Sequence, residues 1–181
     1  TEVRAAILEA GAEFGLLAAG ARAYSTNTLE SGWIPSPMPA IYSGEAMKAY
    51  REFLPAEGYE GTASLGGSFQ SDDIADYYLT PWNLGYDTMM RFDHDFVGRE
   101  ALEAMKDGPH RRKVTLAWNS DDVIKTIATM FETGDRAKYM DWPASNYATL
   151  PNDRVVNGGK TVGISTFSGY SSNERRWLSL A

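Results

Sequence analysis

A single change of pattern, at Gly108-Pro109 and the charged run His110-Arg111-Arg112-Lys113, constrains this chain more than any other feature. Before it, apolar residues recur at helical spacing between loops. After it they alternate with polar residues, the two-residue period of strands with one buried face. One such switch predicts an α+β protein in two parts, residues 1–109 and 110–181. The basic run between them reads as a solvated connection and not as an anion site.

In the first part, Val3, Ile7 and Leu8 share a helical face, and Gly11 is expected to supply a left-handed stop. Residues 14–34 mix small and β-capable types, and a loop opens at Trp33-Ile34-Pro35-Ser36-Pro37-Met38-Pro39, where proline admits neither helix nor inner strand. Met47, Tyr50 and Leu54 predict a helix closed by Pro55, and Gly58 to Ser71 reads as loop. Asp95 to Met105 predicts a turn feeding a helix, with Leu102 and Met105 facing inward. Beyond the linker, Val114, Leu116 and Trp118 predict a strand. Ser120 is placed to cap a helix carrying Asp121 and Asp122 in its first turn and Val123, Ile124, Ile127 and Phe131 on its apolar side. Arg154-Val155-Val156, Asn157-Gly158-Gly159 and Lys160 to Phe167 have the pattern of a hairpin. The last third is thus expected to be mostly β, a barrel more than an open sheet.

Composition removes whole classes of function. A net charge of −7 opposes a nucleic-acid or anionic-membrane surface, which needs concentrated cations. With no cysteine and only His94 and His110, thiolate chemistry and zinc cages are excluded or nearly so, and no metal site is expected. Asp93-His94-Asp95 has ligand-like residue types, but adjacent side chains on a turn rarely converge on one ion. Gly158-Gly159-Lys160 lacks the spacing and following helix of a phosphate loop. No apolar run reaches the roughly 20 residues of a membrane span, and no signal segment opens the chain, so a cytoplasmic setting is expected. The chain starts on a helical pattern without an initiator methionine and stops on the strand-like Arg176-Trp177-Leu178-Ser179-Leu180-Ala181, which suggests a piece of a longer protein.

Three stretches together carry a family resemblance. Gly20-Ala21-Arg22 with Thr28-Leu29-Glu30-Ser31-Gly32 is the first. The second runs from Thr80-Pro81 through Gly85-Tyr86 and Phe92-Asp93 to Asp95-Phe96-Val97-Gly98-Arg99-Glu100-Ala101-Leu102; the third is Thr161-Val162-Gly163-Ile164-Ser165-Thr166. In order and approximate spacing they resemble the glycine-cleavage T-protein (aminomethyltransferase) family along nearly the whole chain, the middle stretch being the specific one. Ala23 to Pro37 and Gly169 to Arg175 look most like the tetrahydrofolate-dependent vanillate and syringate O-demethylases of bacterial lignin catabolism. True T-proteins carry an arginine just before the leucine-glutamate pair, where this chain has Thr28, a departure that fits a different donor.

The resemblance implies the C-terminal part of a folate-binding domain and connecting helices over 1–109, then a barrel-like domain, truncated, over 110–181. It implies tetrahydrofolate as cofactor, a methoxy-aromatic substrate, and transfer of a methyl group to N5 of the folate. Residues that grip the pterin would lie upstream of Thr1, so the chain alone is expected to be inactive. Two alternatives stay open: a glycine-cleavage aminomethyltransferase or folate domain of a dimethylglycine or sarcosine oxidising enzyme, and a non-catalytic folate-binding module. Oligomeric state is not legible.

Expelling a phenolate is the difficult part of aryl ether demethylation. A tyrosine, whose reference pKa is ~10, is close in acidity to that leaving group. Tyr24 is the candidate, because the resembling demethylases carry a functional tyrosine at the matching position; otherwise it packs, as most tyrosines do. Trp33 would lay its indole face against the folate, or serve packing alone. Glu30 could accept hydrogen bonds from pterin amino groups, or pair with a basic neighbour such as Arg22, the preferred reading.

Overall fold

The computed structural model describes residues 1–35 and 37–181; of the proline-rich run, Ser36 lies outside the described residues. The first part is helical and irregular: α1 (Glu2–Gly11), α2 (Ala21–Ser31), α3 (Lys48–Phe53), α4 (Tyr59–Thr62), a two-residue strand β1 (Leu65–Gly66) and α5 (Arg99–Met105). The second part holds β2 (Thr115–Ala117), α6 (Ser120–Ala128), β3 (Leu150–Pro151), β4 (Asp153–Asn157), β5 (Lys160–Ser165), β6 (Phe167–Ser171) and β7 (Arg176–Leu180). No helix among the described residues is long and apolar enough to cross a membrane.

Several expectations hold and several shift. The α1 helix runs through Gly11, whose φ of −84° is ordinary, and the left-handed stop falls at Gly15, φ 70°. Gly11 is needed for proximity instead, since a Cβ there would come within 2.4 Å of Leu16 Cδ2. Residues 21–31, read as mixed and β-capable, form a helix for reasons given below. In α5 Leu102 is half-buried, but Met105, at the helix end, stays exposed. The α6 cap is Asn119, one residue before Ser120: its carboxamide oxygen accepts from the backbone N–H groups of Asp121 (2.9 Å) and Asp122 (3.2 Å). Val123 is buried on that helix, whereas Ile124 and the following Phe131 face solvent.

The hairpin forms as its turn residues dictate. Gly158 and Gly159, at φ 56° and 78°, close β4 on β5 between Asn157 and Lys160, and left-handed backbone at both central positions matches the strands' twist. The barrel does not form. Among the described residues the strands make three separate sheets: β1-β3 parallel, β2-β7-β6 antiparallel and β4-β5 antiparallel. Closure fails because the hairpin pairs only with itself, while the outer side of β6 is met by a single bridge, Ala144 to Gly169, and by α2.

The central strand β7 carries the core. Trp177, Leu178, Ser179 and Leu180 are all buried, because β2 and β6 take both its edges and other elements cover both its faces. Leu178 and Leu180 pack with Leu29 of α2 and Ile34, and with the partly buried Leu79, Leu84 and Phe167. Each fully buried leucine side chain contributes about 1.5–3 kcal/mol relative to exposure. Helix α2 is thereby fastened to the β2-β7-β6 sheet.

Candidate functional site

Local propensity does not explain α2, since its Tyr24-Ser25-Thr26-Asn27-Thr28 run contains no strong helix former. Its end and its docking do. Gly32, at φ 67°, is left-handed; its N–H bonds to the Leu29 carbonyl (3.3 Å) and the Trp33 N–H to the Thr28 carbonyl (3.2 Å), the paired bonds of a Schellman stop. Leu29, 1% exposed, fills the position beside Gly169, where a Cβ would lie 2.7 Å from Leu29 Cδ1 and 2.4 Å from the Pro143 carbonyl oxygen. Glycine at 169 is thus what lets the helix approach β6.

The left-handed turn sends Ile34 into the core and brings Trp33 back along the helix toward Tyr24. The two rings meet edge to face, centroids 6.1 Å apart and planes 85° apart, an arrangement the ring quadrupoles favour. Both remain accessible: Tyr24 is 59% exposed and Trp33 40%. The indole N–H of Trp33 donates to the Tyr86 hydroxyl (3.1 Å), which fixes the ring while leaving its face open. Tyr86 is delivered by the compact turn of the Thr80-Pro81 to Gly85-Tyr86 stretch, in which the Asn83 carboxamide oxygen accepts from the Thr80 N–H and hydroxyl, both at 2.9 Å. Gly85, at φ 75°, turns the chain just before Tyr86.

Glu30, nearly two turns beyond Tyr24, does not pair with Arg22. Among the described residues it has no cationic partner. Its carboxylate accepts from the Ser171 hydroxyl (2.6 Å) and the Asn173 carboxamide (2.8 Å), ties that join α2 to the turn between β6 and β7. These bonds, Ser171 first, hold the carboxyl below its ordinary range. The Ser171 hydroxyl also accepts from the Glu174 backbone N–H (3.1 Å), so the turn is clamped from both sides.

Tyr24, Trp33 and Glu30 therefore sit on one helix and its exit, the first two forming an open aromatic wall and the third an anchor beneath it. Sequence reasoning singled out none of Tyr86, Ser171 and Asn173 as site residues, although it quoted all three inside motifs. The Asp93-His94-Asp95 trio does not converge: His94 Nδ1 faces Asp93 (2.8 Å), and Asp95 accepts from Arg99 (3.0 Å).

No family model matches the chain. It is 45% identical over 179 residues to syringate O-demethylase of Sphingobium sp. (strain NBRC 103272 / SYK-6), an alignment covering 99% of this chain and 39% of that protein. It is 31% identical over 189 residues to sesamin methylene transferase of Sinomonas sp. (strain No.22), covering 97% of this chain and 42% of that protein. The chain thus spans about two fifths of the length of the curated relatives it matches.

Proposed function

We propose that this chain, 45% identical to a syringate O-demethylase over 99% of its own length, is part of an enzyme of that kind and forms one wall of a site that moves a methyl group from a methoxy-benzoate, of the vanillate or syringate type, to N5 of tetrahydrofolate. The observation that carries this reading is the accessible Tyr24–Trp33 pair, held open at the surface by Tyr86.

Tetrahydrofolate, when bound, supplies N5 as the nucleophile that takes the methyl carbon. Trp33 fits a flat heteroaromatic partner: its face is accessible, and its one polar atom is already satisfied by Tyr86, so stacking leaves no buried donor unpaired. Tyr24 donates its hydroxyl hydrogen bond to the ether oxygen as the carbon–oxygen bond breaks and that oxygen keeps the electron pair. Delivering this proton in the transition state stabilises the departing phenolate, an effect worth about 10²–10⁴ in rate, and the proton released from N5 on methylation balances the one that Tyr24 gives up. Glu30, its carboxylate already taken by Ser171 and Asn173, acts as the anchor that keeps α2 in place and not as a pterin acceptor. Substrate-binding groups outside this chain complete the site, and the chain alone is inactive.

A second donor class is favoured by the relative named as a sesamin methylene transferase, whose aligned region also spans nearly the whole chain. The same acid would then serve a methylene bridged between two aryl oxygens.

The test is turnover of the protein that carries this chain with tetrahydrofolate and vanillate, syringate, a methylenedioxy-arene or an aminomethyl donor. Tyr24→Phe should lower kcat for the methoxy-benzoates by about 10²-fold or more with folate binding unchanged. Full activity in that variant, or turnover of the aminomethyl donor alone, would refute the proposal.

A further inference from the structure

A second concavity lies away from the Tyr24–Trp33 wall, among β2, the β4-β5 hairpin, the start of β6 and the segment that follows α6. Its volume is about 730 Å³, enough for a small aromatic molecule. Trp118 and Tyr147 line it, Lys138 and Arg154 both reach it, and Ser145 and Ser165 are buried against it.

The charges in this cleft are not balanced internally. Among the described residues Asp153 is the one carboxylate that lines it, and that group already has partners: it accepts from the Tyr147 hydroxyl, from the Ser68 N–H (2.9 Å) and from the Ser68 hydroxyl (3.2 Å). Lys138 holds its ammonium 3.6 Å from the centre of the Tyr147 ring, a cation–π contact that leaves its charge uncompensated. Among the described residues neither Lys138 nor Arg154 has a carboxylate within salt-bridge reach. In a chain of net charge −7, two cations against one carboxylate leave this cleft with a net positive charge.

Ser145 and Ser165 are each 8% exposed, and their hydroxyls make no protein hydrogen bond among the described residues but stay within reach of solvent in the cleft. The indole N–H of Trp118 is satisfied by Ser179 (2.7 Å), so this ring offers only its apolar surface. Cations and aromatic faces around one cavity match a planar ring bearing a carboxylate: the anion meets Lys138 and Arg154, and the ring lies against the aromatics.

We propose that this cleft is a second binding site, specific for aromatic carboxylates and distinct from the wall formed by Tyr24 and Trp33. It stands independently of the demethylase reading. That chemistry has two sources, a benzoate-type acid or an aminobenzoyl-glutamate.

The experiment is calorimetric titration of the 181-residue chain with 4-hydroxybenzoate, with 4-aminobenzoyl-glutamate and with cyclohexanecarboxylate, and NMR observation of the tryptophan indole N–H signals. At least one of the two aromatic acids should bind, at least tenfold more tightly than the cyclohexane acid, and the tighter one names the source. Binding should shift the Trp118 signal and fall at least tenfold in Arg154→Gln and Lys138→Gln, whereas binding at the wall would shift the Trp33 signal instead. Far-UV circular dichroism screens the variants for folding, and the Trp118 shift in the unsubstituted chain decides the matter if a variant unfolds. Absence of binding, equal affinity for the cyclohexane acid, or binding that shifts only the Trp33 signal and is unaffected in Arg154→Gln would overturn the proposal.

Discussion

Two helices of similar length, α1 and α2, make opposite use of their sequences. The first has the cleaner apolar stripe, yet Val3 and Ile7 are 73% and 57% exposed and it buries no residue. The second has almost no stripe, yet it is pinned by Leu29 in the core, by the Schellman stop at Gly32 and by the Glu30 clamp. Periodicity thus predicts where a helix can form, while a few long-range contacts determine where it is held. The candidate site stands on the helix with the weaker local signal and the stronger anchorage.

Substitutions can break or sharpen that contrast. The largest loss should follow Leu29→Ala, which removes a fully buried side chain and leaves a cavity: about 2–5 kcal/mol in denaturant unfolding. Gly169→Ala comes next, at about 1–3 kcal/mol, since its new methyl must displace either Leu29 or the Pro143 carbonyl. Glu30→Gln should cost less than about 1 kcal/mol, because the carboxylate is solvent-exposed and its bonds compete with water. A carboxyl held below its usual range stabilises the fold above that range and loses the contribution as pH falls through its folded value. Stability measured on the acid side of neutrality should therefore drop less steeply in Glu30→Gln than in the unsubstituted chain. The smallest effect belongs to α1, where Val3→Ser and Ile7→Ser should each stay within about 0.5 kcal/mol. A loss of 2 kcal/mol or more there would show that α1 is packed in solution and dissolve the contrast.

Legibility in the sequence followed the range of the causes. The hairpin around Asn157-Gly158-Gly159-Lys160 was readable because two left-handed positions between alternating segments specify it locally. The α6 helix was readable from its acidic first turn, with the cap misplaced by one residue because Asn119 and Ser120 are both good capping types. Helix α2 was missed because what holds it lies far along the chain, at Gly169 and Leu178. The barrel was overcalled because alternation specifies strands but says nothing of which edges remain free to pair. Tyr24 and Trp33 are proposed through family likeness. Their supports were not, since Tyr86 is 53 residues from Trp33, and Ser171 and Asn173 are 141 and 143 residues from Glu30.

The turn at Gly32 makes the placement of the indole a matter of stereochemistry and not of volume. No atom lies within 4 Å of where a side chain there would begin, so the site has room for one. An L-alanine would fit the space but oppose the backbone's handedness, whereas its mirror image would accept that handedness and restrict the unfolded chain, a gain of about 0.4–1 kcal/mol. D-alanine introduced at this position by chemical ligation should leave the aromatic wall standing and make it stiffer than nature's own achiral residue does.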